Sequence, residues 1–203
     1  MPYSATHKAR TRERILDAAR KLFTTNGYES VTIEDVMSRA GLTRGGFYNH
    51  FRGKDELFCA AVDGYVRATP WTEEGANPHD LACWFIDFYL SDRMLEQREM
   101  HCPLFALPAD VARAGAAPKS AYTHLILRTL GVFHAALALR TDGEVRANSI
   151  VSLCVGAMLL ASTTDDPDLK ASLRCSARAS ALALLCPDDD GLDPLVDRHR
   201  VAV

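Results

Sequence analysis

Apolar positions recur at helical spacing along most of this 203-residue chain, and that periodicity predicts an all-α fold. Ile15, Ala18, Ala19, Leu22 and Phe23 form an i, i+3, i+4, i+7, i+8 stripe over residues 8–25, stopped by Asn26-Gly27. Ile33, Val36, Met37 and Ala40 repeat the pattern up to Gly41. Phe47 and Phe51 anchor a third short helix, and Leu57, Phe58, Ala61, Val62 and Tyr65 continue a fourth from Lys54-Asp55-Glu56. Proline and glycine punctuate Ala68 to Pro78 as a linker. A fifth helix begins at Pro78-His79-Asp80 with an aromatic side. Residues 101–114 give a short helix broken near Pro108, and residues 119–139 a long amphipathic one. One further helix runs from Gly143 to about Ser162, and the last runs from the Asp166 cap and Pro167 to Pro187.

The most informative stretch is residues 31–54. Thr32 and Asp35 have capping-box spacing, Val31 and Val36 flank them as a staple, and Gly41 supplies a left-handed stop. After Leu42, Thr43 is placed to cap the next helix, with Leu42 and Phe47 as its staple. Two capped helices meeting at a glycine spell a helix-turn-helix. The second is chemically odd, because adjacent mid-helix glycines each cost about 1 kcal/mol relative to alanine. Gly45 and Gly46 leave a bare surface ringed by Thr43, Arg44, Tyr48, Asn49 and His50. Such a face suits close approach to a major groove, where Arg addresses guanine, Asn adenine, and hydroxyls and imidazole the phosphates. The structural alternative is a glycine-tolerant connector between core helices.

Charge sharpens this picture. Residues 1–54 carry a net +5 and residues 55–203 a net −8, within an overall −3. The basic part coincides with the helix-turn-helix, and Lys8, Arg10, Arg12 and Arg14 extend it as a possible phosphate-binding arm. Arg20 and Lys21 read as a solvated basic face. No uninterrupted run of eighteen apolar residues and no signal core is present, so a cytoplasmic protein without a membrane span is expected. Six cysteines are dispersed without a C-x-x-C pair, and the histidines show no ligand spacing. No metal and no cofactor are expected.

The run ILDAARKLFTTNGYESVTIEDVMSRAGLTRGGFYNHFRGKDELF resembles the DNA-binding domain of the tetracycline-repressor (TetR) family of bacterial transcriptional regulators, over about residues 10–65. Phe23, Gly27, Thr32, Ala40-Gly41, Tyr48, His50-Phe51, Lys54 and Leu57 carry the likeness. The resemblance implies that Thr43, Arg44, Gly45, Tyr48 and His50 lie in or beside the major groove, and that Thr32 and Lys54 bind phosphates. Asn49 joins them as a base-reading candidate. Gly53 departs from the Ser or Thr that often caps the fourth helix in that family. The implied architecture is an N-terminal three-helix DNA-binding domain, residues 1–54. A fourth helix joins it to a helical ligand-binding and dimerisation domain, residues 55–203.

For the second domain the resemblance implies a small-molecule cavity and dimerisation through the last two long helices, and the abundance of small residues there permits close helix approach. A two-fold homodimer matches a palindromic operator. Candidate cavity residues are Trp84, Phe85, Phe88, Tyr89, Cys102, Leu104, Tyr122, Phe133 and His134. Cys102 also carries an alternative, a thiol-based redox or electrophile sensor, because His101 and a helix start would lower its pKa. Hydrolase, zinc-protease and phosphate-loop motifs are missing, so an enzyme is not expected. The expected function is a DNA-binding regulator, a repressor released by a small-molecule effector. A helical adaptor or enzyme without DNA binding is the rival.

Overall fold

The computed structural model describes residues 5–68 and 77–186, and every regular element among them is helical. Most of the linker, Thr69 to Ala76, and the tail Asp188–Val203 lie outside the described residues. In chain order the α-helices are α1 (Ala5–Asn26), α2 (Ile33–Arg39), α3 (Lys54–Ala68), α4 (Pro78–Tyr89), α5 (Asp92–Glu96), α6 (Pro103–Ala106), α7 (Pro108–Arg113), α8 (Ala116–Ala136), α9 (Gly143–Thr163) and α10 (Pro167–Leu185). Tight 3-10 helices occupy Arg44–Asn49 and Arg98–Met100.

The punctuation anticipated from sequence is where most of these elements begin and end. Gly27 (φ 83°) and Gly41 (φ 65°) adopt the left-handed conformation that closes α1 and the turn after α2. Thr32 accepts from the Asp35 N–H while the Asp35 carboxylate accepts from Thr32, a complete capping box that holds that carboxyl below its usual pKa. Asn77 and Asp166 cap α4 and α10, each with proline at the first helical position.

One expectation is corrected. Residues 44–49 wind as a 3-10 helix rather than an α-helix, and Thr43 makes no side-chain cap bond. Two consecutive glycines lack the propensity to hold an α-turn, and the short segment tightens instead. The segment after Cys102 is broken near Pro108 as its sequence indicates, because Pro108 has no N–H to continue α6 and starts α7.

One hydrophobic cluster runs through the molecule. In the N-terminal part Phe23, Tyr28 and Phe58 meet edge to face or tilted, with centroids 4.9–5.9 Å apart. In the remainder Phe85 stacks on Tyr89 and meets Phe133 edge-on. Helix α3 packs against α1 on one side and α8 on the other, so it belongs to both parts. Helix α9 has the length and mean hydropathy of a membrane span, but it packs against α8 and α10 and buries Arg146 near its start.

Candidate nucleic-acid interface and effector cavity

The helix-turn-helix is held from beneath and left open above. Phe47 and Phe51 are buried, Arg12 lies over the Phe51 ring, and Val36 and Met37 fill the space between. Thr43, Arg44, Gly45, Tyr48 and Asn49 are all exposed, Tyr48 at 60%. A Cβ built on Gly45 would meet nothing within 4 Å, and one on Gly46 only the tip of Met37 at ordinary contact distance. The fold itself therefore gives no reason for either glycine.

Two shallow hollows flank this segment. One is lined by His7, Lys8, Thr11, Thr43, Gly46, Asn49 and His50, the other by Thr32, Arg44, Lys54 and their neighbours. Of the eight residues singled out from sequence, Thr43, Asn49 and His50 line the first hollow and Thr32, Arg44 and Lys54 the second, while Gly45 and Tyr48 line neither. Burial first, then the Lys8 and Arg12 charges, pull the His50 imidazole below its usual pKa. Its Nδ1 is buried without a hydrogen-bond partner. Lys54 is fixed at the start of α3: its Nζ donates to the Glu29 carbonyl at 3.1 Å and lies 4.5 Å from the Tyr28 ring centroid. The Tyr28 hydroxyl in turn donates to the Asp55 carboxylate, and burial with that bond raises its pKa.

A cavity of about 490 Å³ lies where α1, α3, α4 and the segment from Arg93 to Leu107 converge. Phe23, Phe58, Tyr65, Met94 and Leu107 are among its apolar walls, and Asp17, Arg20, Lys21, Arg93 and Glu99 supply charge. Of the candidate cavity residues, Trp84 and Phe88 line it, stacked at 4.9 Å with ring planes 8° apart. The rest sit elsewhere. Phe85, Tyr89, Leu104 and Phe133 are buried in the core, and Tyr122 donates its hydroxyl to the Leu104 carbonyl at 2.7 Å. His134 is exposed on α8.

Cys102 has the opposite chemistry to that expected. It is fully buried at the start of α6, and burial pushes its thiol up to about 11. A four-residue helix offers too little dipole to offset that desolvation. Burial likewise lowers the His101 pKa, against the raising effect of the hydrogen bond between its Nε2 and the Leu95 carbonyl, so the charged imidazole is disfavoured beside Cys102. The ground for a reactive thiol here is removed.

Sequence reasoning missed the cavity's α1 wall, where Arg20 and Lys21 had looked merely solvated. It also missed a tie between the two regions. Arg39, the last residue of α2, donates to Glu99 at 2.6 Å, and Glu99 lines the cavity. Beside it Arg98 reaches the Thr25 carbonyl of α1. No local pattern pairs positions 39 and 99.

Comparison with known proteins places this arrangement. Residues 15–61 match the family described as bacterial regulatory proteins, tetR family. The HTH-type transcriptional repressor Rv1474c of Mycobacterium tuberculosis is 42% identical over 57 residues, which is 28% of this chain and 30% of that protein. The match therefore spans under a third of that relative. The reduced form of Escherichia coli NemR shares the fold with a TM-score of 0.69 at 19% identity, covering 84% of this chain and 96% of that one. SmeT, solved in complex with triclosan, aligns with a TM-score of 0.61 at 22% identity over 87% of this chain and 90% of its own.

Proposed function

We propose, from the match of residues 15–61 to the tetR family of bacterial regulatory proteins, that the chain is a homodimeric transcriptional repressor released from its operator by a small molecule. The carrying observation is the open face at Gly45: an unobstructed, exposed glycine among exposed Thr43, Arg44, Tyr48 and Asn49 in the second element of the helix-turn-helix. A partner surface that comes closer than a side chain permits is the physical use for such a residue. Duplex DNA supplies that surface, with Thr32 and Lys54 on phosphates and His50 beside them. In this reading residues 1–54 bind DNA, residues 55–203 hold the effector and dimerise, and the protein works in the cytoplasm beside the chromosome.

Dimerisation is assigned to α9 and α10, which expose Val145, Leu153, Leu159, Leu160 and Leu169. Joined about a two-fold axis, they would set two recognition segments about 34–36 Å apart, the spacing of successive major grooves on a palindrome. The effector is a mainly apolar, aromatic molecule with a polar or anionic group. Trp84 and Phe88 would hold its body, and Arg20, Lys21 and Arg93 its charge. A complex of SmeT with triclosan, an aromatic compound, is in keeping with this class.

The geometry supports release. The cavity's walls include α1 and Glu99, and Glu99 holds α2 through Arg39. A ligand that displaces this wall favours a different placement of the helix-turn-helix. A coupling of about 1–3 kcal/mol would change operator affinity about 5- to 150-fold. The test is binding of the full chain to DNA upstream of its own gene at several salt concentrations. Log K should fall steeply with log salt, by about 0.9 per phosphate contact. Salt-indifferent binding, or none, defeats the reading in favour of an adaptor.

A further inference from the structure

Helices α4 and α10 run antiparallel, and their polar contacts form a ladder with one rung per turn or so. Arg174 donates to the Leu90 carbonyl at 2.8 Å, and Arg178 to Asp87 at 2.7 Å. Following the same register to the end of α10 brings Cys186, its C-cap residue, to His79 in the first turn of α4. The Cys186 Sγ is 2.9 Å from His79 Nε2. Cys83, one turn further along α4, places its Sγ 3.8 Å from His79 Nδ1. One donor atom from each of the three lies within 4.8 Å of the others.

Two thiols and an imidazole are the donor set of a zinc site. With Zn–S about 2.3 Å and Zn–N about 2.0–2.1 Å, tetrahedral ligands sit about 3.5–3.8 Å from one another. The 2.9 Å separation is to Nε2 and the 3.8 Å one to Nδ1, of which a single ion uses one; with one donor atom from each residue inside 4.8 Å, small side-chain rotations bring the three to that spacing. The positions are set by backbone rather than by chance contact of long side chains: His79 and Cys83 share a helix face at i, i+4, and the Cys186 N–H is bonded to the Leu182 carbonyl at 2.8 Å. Cys186 is exposed and Cys83 half-buried, so an ion can enter from solvent.

We propose that His79, Cys83 and Cys186 bind one zinc-class ion, leaving a fourth position for water or an exogenous ligand and fastening the end of α10 to the start of α4. Binding displaces two thiol protons to solvent and moves no electrons. The fastened end of α4 lies directly ahead of Trp84 and Phe88, so occupancy stiffens the helix that forms one wall of the cavity.

Cobalt(II) is the probe. The reduced, chelator-stripped full chain should take up one equivalent, develop thiolate-to-cobalt charge-transfer absorption, and lose it when zinc is added. Cys186→Ser and His79→Ala should each lower cobalt affinity at least tenfold while far-ultraviolet circular dichroism is unchanged. Zinc should protect Cys83 and Cys186, but not Cys175, from alkylation read by peptide mass spectrometry. The proposal is overturned if the reduced chain develops no charge-transfer band, or if the band survives unaltered in Cys186→Ser. It is equally overturned if Cys83 and Cys186 form a disulfide in the protein as purified and the reduced protein ignores cobalt.

Discussion

Arg14 reaches from α1 to the Ala40 carbonyl, donating at 2.6 Å to the last residue before the turn of the helix-turn-helix. The same guanidinium sits 3.2 Å from where a Cβ on Gly41 would lie. Gly41→Ala therefore meets two obstacles, the positive φ of 65° and the displaced arginine. A loss of about 1–2 kcal/mol from urea unfolding is expected. A neutral result would mean the turn can relax without its glycine.

Gly45 gives the opposite expectation. Gly45→Ala should leave stability unchanged or raise it by about 0.4–1 kcal/mol, since the added methyl meets nothing and the unfolded chain loses freedom. Operator affinity should fall at least tenfold in fluorescence anisotropy, because the methyl stands where DNA must approach. Tyr48→Ala should behave likewise without dissociating the dimer. Full affinity in Gly45→Ala would favour the plain connector.

Cavity and helix-turn-helix can be uncoupled at one pair. Anilinonaphthalene sulfonate, an apolar aromatic anion, should bind the cavity and weaken operator binding. Trp84→Ala should cost the dye about 1.5–3 kcal/mol, roughly tenfold to a hundredfold. Glu99→Gln should retain the dye yet transmit less of its effect to DNA, because the ion pair with Arg39 is gone. As the pair is partly exposed, its loss should change stability by under about 1 kcal/mol. Undiminished release in Glu99→Gln would place the coupling elsewhere.

Burial sets the thiol and phenol chemistry. It pushes Cys102 to about 11 and Cys154 to about 12, and raises Tyr65, Tyr89 and Tyr122. Native labelling at neutral pH should reach exposed Cys175 and Cys186 first, and Cys102 only on unfolding. These acids hold their protons more tightly when folded, so their contribution to stability is complete below the unfolded pKa. It is lost as pH climbs toward the folded value. Melting temperature should accordingly drop between about pH 8 and about pH 10.5. A flat profile would mean the phenols and thiols are hydrated.

The proposed dimer is tested on α9. Leu160 is 54% exposed on α9, and Leu160→Glu should give a monomer in sedimentation velocity with little change in helicity. Operator affinity should fall with it.

The N-terminal fold was legible because its signals are local. Thr32 and Asp35 are three residues apart, Gly27 and Gly41 follow their stripes directly, and Phe47 and Phe51 are one turn apart. What was not legible depends on long-range register. Arg39 and Glu99 are separated by 60 positions, His79 and Cys186 by 107. Cys102 shows the same limit from another side, since a helix start and a neighbouring histidine are visible in sequence while burial is not. The aromatic side of α4 was visible, but only packing decided that Trp84 and Phe88 face a cavity while Phe85 and Tyr89 fill the core.

Helix α3 has consequences for how such a protein can diversify. Its Phe58 completes the aromatic knot with Phe23 and Tyr28, while the same helix is bedded on α8. Severing the chain on either side of it strands half of a shared interior. Replacements at the exposed positions Thr43, Arg44, Tyr48 and Asn49 leave that interior untouched, so the proposed recognition surface can change while the body beneath it stays as it is.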